Sequence, residues 1–132
     1  METKNVKFST AGAVAAAGLI LLAVLGGCGK SAPPVVKIGH AAPLTGDIAH
    51  LGKDNENGAR LALEEANAKG LTIGGKKITF ELLSEDDEGK ENKGPIIAQK
   101  FVDAKVAGVV GHLNSGVTIP ASVVYNEAGI PM

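Results

Sequence analysis

The sequence has few of the residues that several protein classes require. Its 132 residues contain one cysteine and three histidines, so no intramolecular disulfide can form and no Cys/His spacing of a zinc site occurs. Aromatic residues make up only 3%, and 13 basic side chains stand against 14 acidic ones, which leaves neither base-stacking platforms nor a positive field for a phosphate backbone. We therefore expect no nucleic-acid partner, no metal and no cofactor. The 45% hydrophobic and 20% charged residues are typical of a globular chain with at most one domain.

The motifs of common enzyme classes are also missing. Gly39 opens no Gly-x-Gly-x-x-Gly pattern, and the Gly-x-x-x-x-Gly-Lys-Ser/Thr loop of triphosphate sites does not occur. Ser115 lacks the glycine two residues before it that a nucleophile elbow requires. The acidic run from Glu85 to Glu88 lacks the spacing of a calcium loop, so we expect a solvated turn there. Sequence fixes no carboxylate beside any of the histidines, which we interpret as loop or packing residues: His40, His50 and His112. An enzyme is therefore not expected.

The first part of the chain has the pattern of an export signal. Two early lysines precede an uncharged, mostly apolar run from Ala11 to Gly27, and the tetrad Leu-Gly-Gly-Cys ends at Cys28. This tetrad resembles a bacterial lipobox, which predicts a signal peptide at residues 1–27, a lipid-bearing Cys28 and a linker at residues 28–34. The alternatives are an uncleaved anchor helix or an ordinary signal with a chance cysteine. All of these interpretations place the rest of the chain outside the cytoplasm, in the bacterial cell envelope. A lipid on Cys28 would in addition tether the chain to the membrane.

Residues 35–132 alternate between strand and helix patterns. The order βαβαβα, with a further strand beginning at the end, predicts a doubly wound parallel sheet with ligands beyond the carboxyl ends of the strands. Those ends are followed by loops at residues 43–52, 84–91 and 111–118. Three strands cannot close such a domain, so we expect a fragment. The predicted elements are a strand from Val35, a helix between Lys53 and Lys69, a strand at Lys77–Leu83, a helix at Asn92–Ala104, a strand at Val106–Gly111, a helix at Thr118–Ala128 and a strand beginning at Gly129.

The turn before the third predicted helix is rich in hydroxyl groups and backbone N–H donors. Helix N-termini carry unpaired N–H groups and a partial positive charge, so a carboxylate can bind there without an arginine. Ser115 and Thr118 could add hydroxyl hydrogen bonds to such an anion. Equally, either residue could simply cap the helix. The residues alone leave both interpretations open.

Four ordered motifs resemble one family. They are Lys-Ile-Gly-His-Ala-Ala-Pro-Leu-Thr-Gly from Lys37, Leu-Gly-Lys-Asp-Asn-Glu-Asn-Gly-Ala-Arg-Leu-Ala from Leu51, Glu-Asp-Asp-Glu-Gly from Glu85, and Val-Val-Gly-His-Leu-Asn-Ser-Gly from Val109. Together they resemble the exported binding proteins of branched-chain amino-acid ABC transporters, which have the type I periplasmic-binding-protein fold. The resemblance implies that residues 35–132 form a partial N-terminal lobe of a two-lobed protein. Such a protein closes on an amino acid and delivers it to the membrane permease.

The resemblance also implies roles for particular residues. Ser115 matches the position that hydrogen-bonds the α-carboxylate of the ligand, and Gly116, Val117 and Thr118 lie where backbone N–H or hydroxyl groups assist. Leu51 matches a position on the wall of the side-chain pocket that is often aromatic. Gly89 and Asn114 occupy positions where some relatives carry a disulfide, which this sequence cannot form. The alternatives are a sensor or receptor of the same fold that reports an amide, urea or an amino acid, and a doubly wound enzyme.

Overall fold

A computed structural model describes residues 32–132, so the predicted signal peptide and Cys28 lie outside the described residues. Three parallel strands form one sheet in the order β4-β1-β5, and a two-stranded antiparallel hairpin is formed by β2 and β3. This architecture confirms the predicted α/β fold with a parallel sheet. The elements are β1 (Val35–Ala42), α1 (Ala49–Lys69), β2 (Thr72–Ile73), β3 (Lys76–Lys77), β4 (Thr79–Asp86), α2 (Lys93–Ala104), β5 (Gly108–Gly111) and α3 (Ser115–Ala128).

Helices cover both faces of the sheet, and successive strand residues point to opposite faces. On one face, Ala41 of β1 packs into a core with Phe101 of α2 and Tyr125 of α3. Gly39 lies on the same face, and a Cβ atom there would be 2.8 Å from the Phe101 ring, so glycine allows the ring to lie against the strand. The residues of this core are Ala41, Ile97, Ala98, Phe101, Val106, Val109, Ala121 and Tyr125.

The other face of the sheet is covered by α1, and polar contacts join the two. His40 of β1 is fully buried, with Nδ1 3.0 Å from Ser84 Oγ and Nε2 3.0 Å from Asn55 Oδ1 of α1. Further along α1, Asn67 pairs with the backbone of Phe80: its side-chain nitrogen donates to the carbonyl at 2.9 Å, and its oxygen accepts from the N–H at 2.7 Å. These bonds satisfy the buried polar groups and hold α1 against β4. His40 is thus a packing residue, as expected.

Two helices begin earlier than the sequence pattern predicts. Helix α1 begins at Ala49 rather than near Lys53, because the Ile48 carbonyl already accepts from Leu51 at 3.0 Å and Gly52 at 3.3 Å. A Cβ atom on Gly52 would lie 2.0 Å from the Pro43 carbonyl oxygen, so glycine lets this first turn approach the preceding loop. Helix α3 begins at Ser115 rather than Thr118, which places Pro120 inside the helix and not in its first turn.

The second predicted strand also differs from the observed one. Lys76 and Lys77 pair with β2 across the Gly74-Gly75 turn, so the strand of the main sheet begins only at Thr79 and continues to Asp86. The last residues, 129–132, are not a strand in the structure, although the Pro131 carbonyl accepts from the N–H of Val109 in β5 at 2.9 Å. Within residues 32–132, no helix has the length and apolar character needed to cross a membrane.

Candidate functional site

The carboxyl ends of the three strands bring the three predicted ligand loops together. A Cβ atom on Gly89, in the loop after β4, would lie 3.5 Å from Ile48 Cδ1 in the loop after β1. The same atom would lie 3.6 Å from Asn114 Oδ1 in the loop after β5. Gly89 has a φ of 65°, a conformation that glycine adopts without strain. The three loops therefore meet around one glycine, and Gly89 and Asn114 are neighbours.

Asp86 ties the end of β4 to the loop after β1. Its carboxylate accepts hydrogen bonds from the N–H of Leu44 at 2.7 Å, from the hydroxyl of Thr45 at 2.5 Å and from the N–H of Glu88 at 2.9 Å. Burial by itself would raise the pKa of Asp86, but these hydrogen bonds together outweigh it, so the pKa lies below its usual value of 3.8. The charged form of Asp86 thus fixes the position of the loop after β1.

Asp87 begins a buried polar chain that sequence reasoning missed. One carboxylate oxygen lies 2.8 Å from His112 Nδ1, and His112 Nε2 lies 3.2 Å from the Tyr125 hydroxyl. The other oxygen of Asp87 accepts from the Gly89 N–H at 2.8 Å. Burial, with a smaller contribution from the charge of Asp87, raises the pKa of Tyr125, so its phenol stays protonated. This chain joins the loop after β4 to the start of the loop after β5 and to α3.

The expectation of a solvated acidic turn is therefore wrong for Asp87, which is fully buried. His112 is a packing residue as expected, but it has a carboxylate partner 25 residues away in sequence. No local pattern signals such a pair, because the two residues come together only when β4 and β5 both flank β1.

The rest of the acidic run is held by lysines. Glu88 pairs with Lys90 at 2.5 Å and with Lys93, while Glu85 pairs with Lys100 at 2.9 Å. The hydrogen bond from Lys90 and then that from Lys93 hold the pKa of Glu88 below its usual value, and Glu88 raises the pKa of Lys90. In the part of the chain that the structure describes, no group of three or more His, Cys, Asp or Glu side chains is placed to hold a metal ion.

The first turn of α3 leaves hydrogen-bond donors available. The N–H groups of Val117 and Thr118 both donate to the Asn114 carbonyl, at 3.0 and 2.9 Å. By contrast, the N–H groups of Ser115 and Gly116 and the hydroxyl of Ser115 have no acceptor among residues 32–132. Ser115 and Gly116 are also exposed. Three donors therefore face solvent at the positive end of a helix, which is an arrangement that binds anions.

The four predicted residues of this turn thus divide into two groups. The Thr118 hydroxyl lies 3.0 Å from both the His112 and the Asn114 carbonyl oxygens, so it supports the turn from within. Val117 is buried, with 1% of its surface exposed, so its side chain holds the turn against the interior of the domain. Ser115 and Gly116 alone combine exposure with unpaired donors. Asn114, at the N-cap position, makes no side-chain cap, and its Oδ1 is buried without a partner among the described residues.

Leu51 lies at the same edge of the sheet, in the first turn of α1. It is 49% exposed. Its backbone N–H donates to the Ile48 carbonyl, so only its side chain is available to a ligand. The structure therefore places an apolar side chain and a turn with unpaired backbone donors on neighbouring loops. This combination suits a ligand with one carboxylate and one apolar portion.

Comparison with known proteins agrees with this geometry. Residues 35–132 match the family model described as periplasmic binding protein. The chain belongs to this family. The Leu/Ile/Val-binding protein homolog 2 of Brucella abortus (strain 2308) is 41% identical over 115 residues, which cover 87% of this chain and 30% of the relative. This chain therefore spans about a third of the length of that relative.

Solved structures of similar proteins share the fold. The branched-chain amino acid transporter substrate binding protein LivJ from Streptococcus pneumoniae, in complex with isoleucine, is 34% identical, with a TM-score of 0.65 over 74% of this chain and 27% of that one. An ABC transporter solute binding protein from R. palustris in complex with benzoate is 28% identical, with a TM-score of 0.59 over 73% of this chain and 26% of that one. These neighbours confirm the type I periplasmic-binding-protein fold.

Proposed function

We propose that this chain is part of the extracytoplasmic solute-binding component of an ABC importer. It captures a branched-chain or related amino acid between two lobes, and residues 35–132 supply part of the lobe that holds the carboxylate. The observation that carries this proposal is the set of unpaired donors at the start of α3, formed by Ser115 and Gly116. No bond is made or broken in this function.

The carboxylate is the ligand feature that the site favours most. Each hydrogen bond to a charged group contributes about 1.5–3 kcal/mol, and the α3 N-terminus adds a favourable field. Isoleucine and benzoate, bound by the two structural neighbours, differ in their side groups but both carry a carboxylate. The exposed side chain of Leu51 would then contact the apolar part of the ligand.

Ligand capture would couple to transport through lobe closure. A ligand that contacts both lobes stabilises the closed form only through its greater affinity for that form. The permease would read the closed form, and the proposed lipid on Cys28 would keep the protein at the membrane that contains the permease. This lipid tether and the export signal are supported by the sequence pattern of residues 1–28.

Calorimetric titration of the product of the whole reading frame that contains these residues tests the proposal. Leucine, isoleucine and valine should give saturable binding. Leucinamide, which lacks the carboxylate, should bind at least tenfold more weakly, whereas isopentylamine and 4-methylpentanoate separate the contributions of the carboxylate and the ammonium group. Binding of leucinamide as strong as that of leucine would contradict a carboxylate site. A response to amides or urea alone would favour a receptor of the same fold.

A further inference from the structure

The amino ends of the strands form the edge of the sheet opposite the predicted ligand loops. Because α1 runs back along the sheet, its last residue, Lys69, lies at this edge, and the β2–β3 hairpin follows directly. The hairpin stays close to the start of β1. The Ile78 N–H donates to the Leu71 carbonyl at 3.0 Å, and the next N–H, that of Thr79, donates to the Pro34 carbonyl at 3.0 Å. The hairpin therefore sits beside the point where the linker at residues 28–34 joins the domain.

This edge exposes large apolar side chains that the fold does not use. Ile73 in β2 is 62% exposed, Val35 at the start of β1 is 55% exposed, and Leu71 just before the hairpin is 45% exposed. Apolar side chains flanked by basic ones are the combination with which interfacial amphipathic helices enter the headgroup region of a membrane.

Four exposed lysines at this edge form no ion pair with any of residues 32–132: Lys69, Lys76, Lys77 and Lys105. At the ligand edge, Lys90 and Lys93 are both paired with Glu88, and Lys53 is exposed without an ion pair to the described residues.

Acidic side chains also reach this edge, but there are fewer of them. Asp103, in the last turn of α2, and Glu127, in the last turn of α3, are exposed there, as is Glu81, the third residue of β4, while Glu64 and Glu65 lie about one turn before the end of α1. The hairpin itself, residues 72–77, contains no acid. The hairpin is thus basic, in contrast to the acid-rich run at the carboxyl end of β4.

From these observations we propose that the β2–β3 hairpin contacts the anionic phospholipid surface of the membrane that holds the tether. This inference rests on the lipid tether of the proposed function and adds a second, non-covalent contact. Seven residue steps from Cys28 to Val35 span at most about 25 Å, so a lipid on Cys28 would limit the distance between Val35 and the headgroups to about that length. Lys76 and Lys77 meet anionic headgroups, and Ile73 enters between them. This contact turns the ligand loops away from the lipid surface.

A fluorescence experiment on the acylated chain tests this contact. The chain is reconstituted in vesicles of phosphatidylethanolamine and phosphatidylglycerol, where the acylated Cys28 has no free thiol, so one introduced cysteine takes an environment-sensitive label. Thr72→Cys places the label on the hairpin, and Glu91→Cys places it at the opposite edge as a control. We expect lipids with a spin-labelled acyl chain near the headgroup to quench the Thr72 label and not the Glu91 label.

Charge variants separate the lipid contact from simple proximity. Lys76→Gln in the Thr72→Cys chain should shift the equilibrium between the lipid-bound and the free hairpin roughly fivefold toward the free form. A salt concentration of 0.5 M should have a similar effect. Lys53→Gln, the same charge change at the ligand edge, should leave the quenching unchanged. Equal quenching of the two labels, or equal quenching in vesicles of phosphatidylcholine, would overturn the inference.

Two further outcomes would also overturn it. Quenching that appears only when permease subunits are added would make the hairpin a protein-docking surface. Failure of the chain to float with the vesicles would remove the tether, and the inference with it. Neither outcome affects ligand capture, because leucine titration of the product of the whole reading frame is measured without membranes.

Discussion

Replacement of Gly94 by alanine should destabilise the protein although it improves helix propensity. Gly94 is the second residue of α2, and a Cβ atom there would lie 2.5 Å from the Val117 carbonyl oxygen and 3.4 Å from Ala121 Cβ in α3. The clash is with backbone, so α3 must shift as a unit. Overpacking of this kind costs about 1–3 kcal/mol, against a propensity gain of about 0.5–1 kcal/mol. We expect a net loss of about 1 kcal/mol.

The same substitution at Gly58 provides a matched control. Gly58 lies in the middle of α1, is exposed, and a Cβ atom there would meet nothing within 4 Å. Gly58→Ala should therefore stabilise the protein by about 0.5–1 kcal/mol. Urea unfolding followed by circular dichroism measures both changes, and a slope near 1 kcal/mol/M gives midpoints displaced in opposite directions by about 1 M. Equal midpoints for the two variants would refute the close packing of α2 on α3. Because Val117 belongs to the first turn of α3, Gly94→Ala should also weaken ligand binding.

Three further predictions concern the site. Asp86 has a lowered pKa in the folded state, so its stabilising contribution is complete above pH 3.8 and is lost as the pH falls through the folded pKa. In acid titrations, the difference in unfolding free energy between the wild type and Asp86→Asn should therefore vanish. Tyr125→Phe leaves His112 Nε2 without its partner and should cost about 1–3 kcal/mol in urea unfolding; an unchanged midpoint would contradict the buried chain. Thr45→Val should displace the first ligand loop, seen as faster amide exchange at Leu44, and protection equal to that of the wild type would argue against the role of Asp86.

The order of elements could be predicted from sequence because it depends on local patterns. The apolar run at Val106–Gly111 and the helical period from Ala59 to Ala66 are short-range signals, and alternation of such segments favours a parallel sheet. The edge at which ligand loops meet follows from strand direction alone. The convergence of the loops around Gly89 agrees with that prediction.

The remainder could not be predicted because it depends on residues far apart in the chain. The start of α1 is set by hydrogen bonds to the Ile48 carbonyl and by the close approach of Gly52 to Pro43. Neither contact produces a periodic pattern of apolar residues in the sequence. The pair of Asp87 and His112 forms only after β4 and β5 have taken their places beside β1. Within the α3 turn, only the geometry shows that the Thr118 hydroxyl is directed to backbone carbonyls while the donors of Ser115 stay unpaired.

One titration tests the central claim most directly. Leucine binding to the product of the whole reading frame is compared between the wild type, Ser115→Ala and the control Ser122→Ala, whose hydroxyl donates to the Ile119 carbonyl within α3 at 2.8 Å. Loss of one hydrogen bond to a carboxylate should weaken binding about ten- to a hundredfold in Ser115→Ala and leave Ser122→Ala like the wild type. If Ser115→Ala binds leucine as tightly as the wild type, the start of α3 does not hold the ligand and the account is wrong.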